Sequence, residues 1–374
     1  MKMLIVRSYG SVMNVKSYNT QEIGLAKAFR SRGIETDIVF YAGDQETRVQ
    51  EWPADNGGVI KIFWLTGKQF MKHGYMPEVF MLADQYDFLW LDEFDQYQSS
   101  KLARMYPKKT FIYHGPYPQS YSWMRKVRDT ICNNIFFDAS IAEKVRVFTK
   151  SNLAQTHLEK MGFKNVRTIG VGLDTERFVQ SKAIDLNEFG INDSDIVLSY
   201  IGTIDERRNV LFALNVLSAI VRKRNNVKLL LVGKENDRYW RRCVSYIEKK
   251  GLRNNVVHIK KLDQDMLPSV YIRSTAFLFP TLYDIFGMVL LEAMYFGTPV
   301  VSSVNGGSTT LIKSGENGYI CDFDVEQWAS ALEKILLSNS LQEKIGDNAR
   351  KTIRNRFTWG KIADNAIQYM KEMM

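Results

Sequence analysis

Cysteine is scarce in this chain of 374 residues, and its three copies, Cys132, Cys243 and Cys321, are too widely spaced for a disulfide framework or a zinc site. A reducing cytoplasm is therefore expected. Long apolar runs are also lacking, because the opening MKMLIVRSYGS is too short for a signal peptide and no later run approaches the length of a membrane span. These absences predict a cytoplasmic protein that is soluble or lies on a membrane surface.

Two signatures of other nucleotide-binding classes are missing. No G-x-G-x-x-G motif follows the apolar run that opens either half of the chain, which argues against a nucleotide-dependent oxidoreductase. The basic clusters RKVR and VRKRNNVK lie at predicted helix ends and lack an aromatic platform on which bases could stack. Solvated helix ends explain these clusters better than a nucleic-acid partner does.

Acidic residues are fewer than basic ones, because the chain has 41 Asp and Glu residues and 50 Lys and Arg residues. The net charge is therefore +9. Such an excess favours an anionic partner, which includes a nucleotide, an acidic membrane or nucleic acid. An ordinary solvated surface explains the same charge.

What the chain does contain is a regular alternation of apolar, β-branched runs with amphipathic helical patterns. The runs are MLIV, TDIVFY, FLWL, TFIYHG and VRVFT in the first half, then DIVLSYIGTI, VKLLLVG, VVHIK, TAFLFP and TPVVSS. Between the two series a polar stretch without a sustained period places a domain boundary near 175–195. The pattern predicts two α/β domains with parallel sheets, whose facing strand ends would leave a ligand-binding cleft.

The stretch YDIFGMVLLEAMYFGTPVV, residues 283–301, predicts a ligand site at one of these strand ends. Residues 280–286 are expected to form a turn, and residues 287–296 a helix that Gly297 and Pro299 end. The free N–H groups and the positive dipole end of such a helix attract an anion. Gly287 would let a phosphate approach closely.

Two carboxylates in this stretch need partners. Glu292 lies among apolar residues of the predicted helix, where an unpaired charge would cost on the order of several kcal/mol. Ribose hydroxyls of a bound nucleotide are one partner, and a salt bridge to a core arginine or a solvent-exposed position are the alternatives. Asp284 lies in the preceding turn, where a helix-capping or turn residue is also common.

The stretch DIFGMVLLEAMYFGTPVV resembles the signature of an acid, seven residues and a glutamate in retaining glycosyltransferases of the GT-B fold, of the family 4 type. Further segments are similar to this family in the same order: VGLDTERF, YIGTIDERRN, LLLVGK, GGSTTLIKSGENGYI and RFTWGKIADNAIQYM. The resemblance implies an α/β, GT-B architecture of two Rossmann-like, doubly wound domains that face each other across a cleft. Residues 1–180 would form the acceptor side and residues 181–355 the donor side, with a closing helix in 356–374 that crosses back to the first domain.

The resemblance implies roles for the residues of the turn and helix. Asp284 stands where the family usually has a glutamate and would contact hydroxyls of the donor sugar, while Glu292 would hold the ribose. The backbone N–H groups of Phe286, Gly287 and Met288 would bind the diphosphate.

The basic loop of YIGTIDERRN departs from the family pattern of an arginine directly after the glycine and a lysine five residues on. These positions are Thr203 and Arg208, so one phosphate-binding cation is missing and the other has changed type. Arg207 is the candidate that replaces the missing charge. Gly233 and Lys234, in the strand and turn LLLVGK, complete the implied donor-binding set.

In the first half the resemblance is looser. Gly10 and Ser11, in RSYGSVMN, would bring a backbone N–H to the diphosphate or the acceptor, although a lone glycine after a strand is often only a turn. His114, in TFIYHGPYP, resembles the family's strand-end histidine near the transferred sugar. A histidine in this position is also typical of a hydrogen-bonded loop residue.

The implied reaction moves a hexose-type sugar from a UDP- or GDP-type donor to a glycan, lipid-linked or protein acceptor, with retention of configuration. Departure of the diphosphate develops negative charge that fixed cations and N–H dipoles stabilise, a role for Arg208 and the helix N-terminus. No Asp-x-Asp pair follows a strand in a suitable place, and DEFD at 92–95 lies in the other half. Neither an essential metal nor another cofactor is therefore expected.

Two alternative functions remain. A nucleotide-sugar 2-epimerase would share the architecture, but the set of acids and a histidine that its chemistry needs around the sugar is not matched. A non-enzymatic nucleic-acid-binding protein would use the basic clusters, which are better explained as solvated helix ends.

An anionic membrane surface is a further candidate partner, because basic and aromatic residues interleave in segments 61–83 and 117–129. They are Lys61, Lys68, Lys72, Arg125, Lys126 and Arg128 with Phe63, Trp64, Phe70, Tyr121 and Trp123. Core helices with solvated lysines explain the same pattern. Because many relatives build lipid-linked or cell-surface glycans, the resemblance favours peripheral attachment at the inner face of the membrane.

Overall fold

The computed structural model describes residues 1–15, 20–55, 58–118 and 139–372. The chain divides into two compact units, one formed by Met1–Asp174 with Phe357–Met374 and the other by Thr175–Arg356. The first unit therefore receives the last helix of the chain, whereas the second unit is continuous in sequence.

The first unit is built on an eight-stranded sheet and a separate two-stranded hairpin. The strands are β1 (Lys2–Val6), β2 (Glu35–Tyr41), β3 (Arg48–Pro53), β4 (Val59–Leu65), β5 (Lys68–Phe70), β6 (His73–Tyr75), β7 (Phe88–Asp92), β8 (Thr110–His114), β9 (Arg146–Thr149) and β10 (Asn165–Thr168). The large sheet has the order β10-β9-β8-β7-β1-β2-β4-β3, and β5 pairs with β6. All strand pairs of the large sheet are parallel except β3 with β4. Its central strands are almost wholly buried, as expected of strands with helices on both faces.

Helices surround this sheet, and the last of them packs on the first. They are Gln21–Arg30, Val79–Ala83, Tyr97–Met105, Ala139–Lys144, Asn152–Lys160 and Trp359–Glu372. The Trp359 indole lies so close to Gly24 and Gly172 that a Cβ at either glycine would collide with the ring. An ion pair of 2.5 Å between Arg32 Nε and Asp364 Oδ1 adds a polar contact between the turn after the first helix and the last helix.

The second unit is a six-stranded parallel sheet. Its strands are β11 (Ile196–Ile201), β12 (Val227–Val232), β13 (Val256–Ile259), β14 (Ala276–Phe279), β15 (Val300–Ser302) and β16 (Tyr319–Ile320), in the order β13-β12-β11-β14-β15-β16. This is the strand order of a doubly wound Rossmann sheet, with the switch in winding direction between β11 and β14. Ligands of such sheets bind beyond the carboxyl ends of the strands at the switch point. The candidate ligand site therefore lies at the loops after β11 and β14.

The helices of the second unit alternate with these strands. They are Val210–Val221, Asp237–Lys249, Leu267–Arg273, Met288–Phe296, Ser308–Leu311, Val325–Leu337 and Asn339–Arg356. The helix Val210–Val221 packs its apolar side into a core that also contains the fully buried Trp328. Among the described residues, no helix has both the length and the apolar composition that crossing a bilayer requires.

The predicted α/β architecture of two Rossmann-like domains is confirmed, and each of the ten predicted strands is present. The core-helix explanation of segment 61–83 is wrong for most of its length, because β4 and the hairpin β5–β6 lie there and only Val79–Ala83 is helical. In β4 buried residues alternate with more exposed ones, which is the period of a strand with one covered face.

Candidate functional site

The loop after β14 leads into the predicted helix, which spans Met288–Phe296. Gly287 precedes it with φ 76° and Gly297 ends it with φ 77°, both in the left-handed region that favours glycine. A Cβ at Gly287 would lie 2.9 Å from the Phe279 ring, so a side chain at this position would also meet the end of β14. The helix therefore begins directly beyond the carboxyl end of the strand, as the sequence predicts.

Asp284 lies in the turn directly before this helix. Its Oδ1 accepts hydrogen bonds from the backbone N–H groups of Phe286, at 3.1 Å, and Gly287, at 2.8 Å. A carboxylate in this position is stabilised by the positive end of the helix dipole. Two of the three N–H groups predicted for a diphosphate, those of Phe286 and Gly287, are thus held by an internal carboxylate.

The loop after β11 brings two arginines to the same carboxylate. Arg208 Nη1 forms an ion pair with Asp284 Oδ2, and Arg207 Nη1 lies 3.6 Å from that oxygen. Arg207 also donates to the carbonyl of Tyr283 at 2.9 Å, and the Arg208 guanidinium lies over the Phe279 ring at 5.4 Å from the centroid. Two guanidinium groups against one carboxylate leave one net positive charge at the helix N-terminus, so the cluster can bind an anion.

The remaining predicted donor-binding residues lie at adjacent strand ends. Gly202 and Gly233 have φ of 143° and 144°, and a Cβ at Gly233 would collide with the Gly202 carbonyl. The backbone N–H of Ile204 donates to the Lys234 carbonyl at 2.9 Å, which joins the turns after β11 and β12. Thr203 and Lys234 are exposed. The structure therefore places Thr203, Gly233 and Lys234 on neighbouring turns of the unit that holds Arg208.

Glu292 is buried on the helix, with 1% of its surface exposed. Its Oε2 accepts a hydrogen bond of 2.8 Å from the Tyr271 hydroxyl, and its Oε1 has no hydrogen-bond partner among the described residues. Burial raises the pKa of Glu292 to about 8. The alternative of a solvent-exposed position is therefore wrong, and the partner of Oε2 is a neutral phenol rather than an arginine.

His114 lies in the first unit at the end of β8, and it is buried. Its Nδ1 is 2.8 Å from Glu93 Oε2, and Glu93 Oε1 is 3.1 Å from Lys150 Nζ. Although burial opposes ionisation of Glu93, the ammonium of Lys150, the imidazole and the N–H of Gly115 lower its pKa to about 2. Glu93 has φ 54°, which is uncommon for a residue with a side chain and often marks a functional position.

Among the described residues, one group could hold a metal ion. It consists of Glu93, Asp95 and His114, and the three possible ligand atoms, two carboxylate oxygens and an imidazole nitrogen, lie within 4.8 Å of one another. Each of the two carboxylates already faces an ammonium, because Lys72 Nζ lies 2.6 Å from Asp95 Oδ2 and Lys150 pairs with Glu93. A cation would have to displace both lysines. We therefore interpret the group as an ion-pair network.

Gly10 lies where the hairpin β5–β6 closes over the end of β1. Its N–H donates to the Lys72 carbonyl at 2.9 Å, and a Cβ at Gly10 would lie 2.7 Å from Gln69 Cγ. Close packing of the hairpin thus explains this glycine, and Ser11 beside it is exposed. The predicted basic and aromatic residues Tyr121, Trp123, Arg125, Lys126 and Arg128 lie outside the described residues.

Glu93, Lys150 and Tyr271 were not among the predicted site residues. Glu93 lies in the DEFD stretch, where a strand-end acid was considered only as a metal ligand. Tyr271 lies 21 residues before its partner Glu292, and no spacing rule links a tyrosine on one helix to an acid on another.

A positively charged helix N-terminus and a buried acid lie beyond the switch point of a doubly wound sheet, a setting that suits a phosphate-bearing ligand. Residues 181–352, which lie in the second unit, match the family glycosyl transferases group 1. The predicted resemblance to this group of glycosyltransferases is thus confirmed, whereas retention of configuration stays a prediction.

Two curated relatives are similar in sequence. The uncharacterized glycosyltransferase MJ1607 of Methanocaldococcus jannaschii is 27% identical over 186 residues, which cover 50% of this chain and 47% of the relative. The capsular polysaccharide biosynthesis glycosyltransferase CapM of Staphylococcus aureus is 27% identical over 242 residues, which cover 61% and 60%. The matched segments thus span about half to three fifths of these relatives.

A solved structure is similar over the whole chain. HepE of Anabaena in complex with UDP has a TM-score of 0.75 at 16% identity and covers 100% of both chains. HepE was also solved with UDP-glucose, and that structure gives a TM-score of 0.70. The likeness shows that the fold is that of GT-B glycosyltransferases, as predicted.

Proposed function

We propose that the chain is a retaining glycosyltransferase that moves a hexose-type sugar from a nucleoside-diphosphate sugar to an acceptor hydroxyl. The observation that carries the proposal is the convergence of Arg207 and Arg208 on the N-terminus of the helix that holds Glu292. A cationic cluster and N–H groups suit a diphosphate, and a buried acid one turn further along suits a ribose.

The leaving group is the centre of the proposed mechanism. As the sugar–phosphate bond breaks, negative charge grows on the diphosphate and Arg208 stabilises it. For this the diphosphate replaces the Asp284 carboxylate as the partner of Arg208 and of the N–H groups of Phe286 and Gly287. Asp284 is then released to accept hydrogen bonds from hydroxyls of the donor sugar.

The first unit is proposed to act on the acceptor side. Because Glu93 stays ionised, it favours a proton on His114 Nδ1 and leaves Nε2 to contact the sugar. Retention is proposed to follow from attack on the same face as the leaving group, whose phosphate helps to deprotonate the acceptor hydroxyl. The cations come from arginine, so the reaction is proposed to need no metal.

We expect transfer activity with a UDP- or GDP-sugar. Purified protein is incubated with each of a panel of UDP- and GDP-sugars and with candidate glycan, lipid-linked and protein acceptors, and release of UDP or GDP is measured together with the glycosylated product. Activity in excess EDTA should equal activity in magnesium. The Arg208→Ala variant is the negative control.

Each alternative gives a different result in this assay. An isomerised nucleotide sugar without nucleotide release would indicate a 2-epimerase. Activity that EDTA abolishes and magnesium restores would contradict the proposed absence of an essential metal. Failure to turn over any donor, together with salt-sensitive binding of nucleic acid, would contradict the glycosyltransferase proposal.

We further propose that the acceptor is a glycan or lipid-linked and that the first unit meets an anionic membrane from the cytoplasmic side. The hairpin β5–β6 supports this, because Phe70 and Met71 at its tip are 72% and 65% exposed. Lys68 beside them is also exposed. Apolar tips flanked by cations suit the headgroup layer of an anionic bilayer.

The membrane proposal predicts that the wild-type protein sediments with anionic vesicles at low salt and is partly released at high salt. Burial of each exposed apolar side chain contributes about 1.5–3 kcal/mol, so a Phe70→Ser, Met71→Ser double variant should partition at least about tenfold more weakly. Leu337→Ser, which changes a residue 72% exposed in the second unit, is the matched control. Equal recovery of wild type and double variant in the supernatant with anionic and neutral vesicles would contradict the proposal.

A further inference from the structure

Glu292 has one satisfied oxygen and one buried oxygen without a hydrogen-bond partner among the described residues. Oε2 accepts from the Tyr271 hydroxyl at 2.8 Å, whereas Oε1 is buried and unsatisfied. A buried acceptor without a partner is costly, and its presence in a site-forming helix indicates a group that a ligand satisfies.

We infer that Tyr271 is a positioning residue for nucleotide recognition, whose hydroxyl holds Oε2 of Glu292 so that Oε1 is aimed at the ribose hydroxyls. The inference rests on the proposed function and adds a residue to its donor site. Tyr271 itself does not contact the nucleotide in this scheme, because its hydroxyl is used by the carboxylate.

Tyr271 is held firmly enough to act in this way. It is fully buried on the helix Leu267–Arg273, and its ring stacks on Phe296 with centroids 5.7 Å apart and an interplanar angle of 9°. Its carbonyl accepts a hydrogen bond of 2.7 Å from Thr298 Oγ1. Tyr271 is therefore fixed both to the last turn of the helix Met288–Phe296 and to Thr298, two residues beyond it, so its hydroxyl presents a fixed donor to Glu292.

The charge state of the pair agrees with this role. Burial raises the pKa of Tyr271, although the charge of Arg177 on the preceding segment lowers it in part, so the phenol stays a hydrogen-bond donor at physiological pH. Burial raises the pKa of Glu292 to about 8. Among the described residues, Tyr271 contacts Glu292 directly and Arg177 lies close enough to Tyr271 to affect its pKa. From the helix Asn339–Arg356, Arg350 donates to the Phe296 carbonyl and Arg354 lies over the Tyr295 ring, both at the last turn of the helix Met288–Phe296.

The experiment measures how strongly the protein distinguishes UDP from 2′,3′-dideoxy-UDP, which lacks both ribose hydroxyls, with GDP and its dideoxy analogue in parallel. Calorimetric Kd values are compared for wild type, Tyr271→Phe, Glu292→Gln and the double variant. A hydrogen bond to a charged group contributes roughly 1.5–3 kcal/mol, so above pH 8, where Glu292 is ionised, wild type should prefer UDP by about tenfold or more. Tyr271→Phe should lower that preference severalfold, and adding it to Glu292→Gln should cause little further loss.

The pH dependence gives a second readout. Two ribose hydroxyls donate to an ionised carboxylate, so the preference for UDP should grow as the pH rises through about 8 and a proton leaves Glu292. Loss of the Tyr271 hydroxyl removes a donor that favours the ionised form, so the rise should move to higher pH in Tyr271→Phe. Glu292→Gln should abolish the rise of this preference with pH, because an amide does not ionise.

Tyr246→Phe is the matched control, because it also removes a hydroxyl bonded to a side chain of the second unit, that of Asn215. It should leave the preference for UDP unchanged. An unchanged preference and pH profile in Tyr271→Phe, with normal UDP affinity, would overturn the inference alone. If the wild type binds neither UDP nor GDP, the proposed function is overturned and the inference with it.

Discussion

Replacement of Arg208 by alanine is expected to lower the rate of sugar transfer about a hundredfold to a thousandfold. The guanidinium stabilises charge that appears on the diphosphate only as the bond breaks, and loss of one such group typically costs about 2.7–4 kcal/mol. Steady-state kinetics with the preferred nucleotide sugar measure kcat and kcat/KM, and UDP affinity should fall as well. Arg208→Lys should recover part of the loss, because it restores the charge but not the forked geometry.

Arg242→Ala is the matched control for this variant. Arg242 is an exposed arginine of the same unit that pairs with Glu206 at 2.8 Å, and surface pairs of this kind contribute little. Its removal should leave transfer unchanged. Wild-type turnover in Arg208→Ala would show that Arg208 has no role in catalysis.

Replacement of Asp284 by asparagine is expected to lower transfer about a hundredfold while UDP binds more tightly, by roughly severalfold. Transfer falls because the carboxylate that contacts the donor sugar is lost. Binding tightens because Asp284 neutralises part of the charge of Arg207 and Arg208, and an amide does not compete for these cations. Calorimetry with UDP and steady-state kinetics with the nucleotide sugar measure the two effects separately.

Asp324→Asn controls for the loss of a carboxylate at a helix N-terminus. Asp324 Oδ1 accepts from the N–H of Gln327 at 2.8 Å at the start of the helix Val325–Leu337, and this substitution should cost little stability because Asn caps a helix about as well as Asp. Only the change at Asp284 should alter UDP binding. Weaker UDP binding in Asp284→Asn than in wild type would show that the carboxylate supports the anion site rather than competing for it.

The parts of the fold that follow from local sequence were predictable. The apolar residues between two glycines predict the helix Met288–Phe296. Both glycines adopt the left-handed conformation, which glycine accepts more readily than any other residue. Ten of the fourteen strands that the structure describes in the two large sheets appear as apolar runs of the right length, whereas β3, β4, β10 and β16 were not predicted. The hairpin β5–β6 was missed because its strands have three residues each, too few for a period to be recognised.

The contacts that define the site were not predictable, because they join residues far apart in sequence. Asp284 pairs with Arg208 across 76 positions, and Glu93 pairs with Lys150 across 57. A sequence pattern indicates that Asp284 caps a helix or binds a ligand, but only the packed strand ends bring the arginines to it. The pairing of Tyr271 with Glu292 likewise depends on how two helices pack on the same sheet.

A crystal structure of the protein with UDP tests the central claim most directly, because it locates the diphosphate and the ribose independently of activity. We predict that the diphosphate contacts Arg208 and the N–H groups at the start of the helix Met288–Phe296, with Asp284 displaced from them. We also predict that the ribose hydroxyls donate to Oε1 of Glu292. UDP bound elsewhere, with Arg208 still paired to Asp284 and Glu292 still buried against Tyr271 alone, would contradict the account.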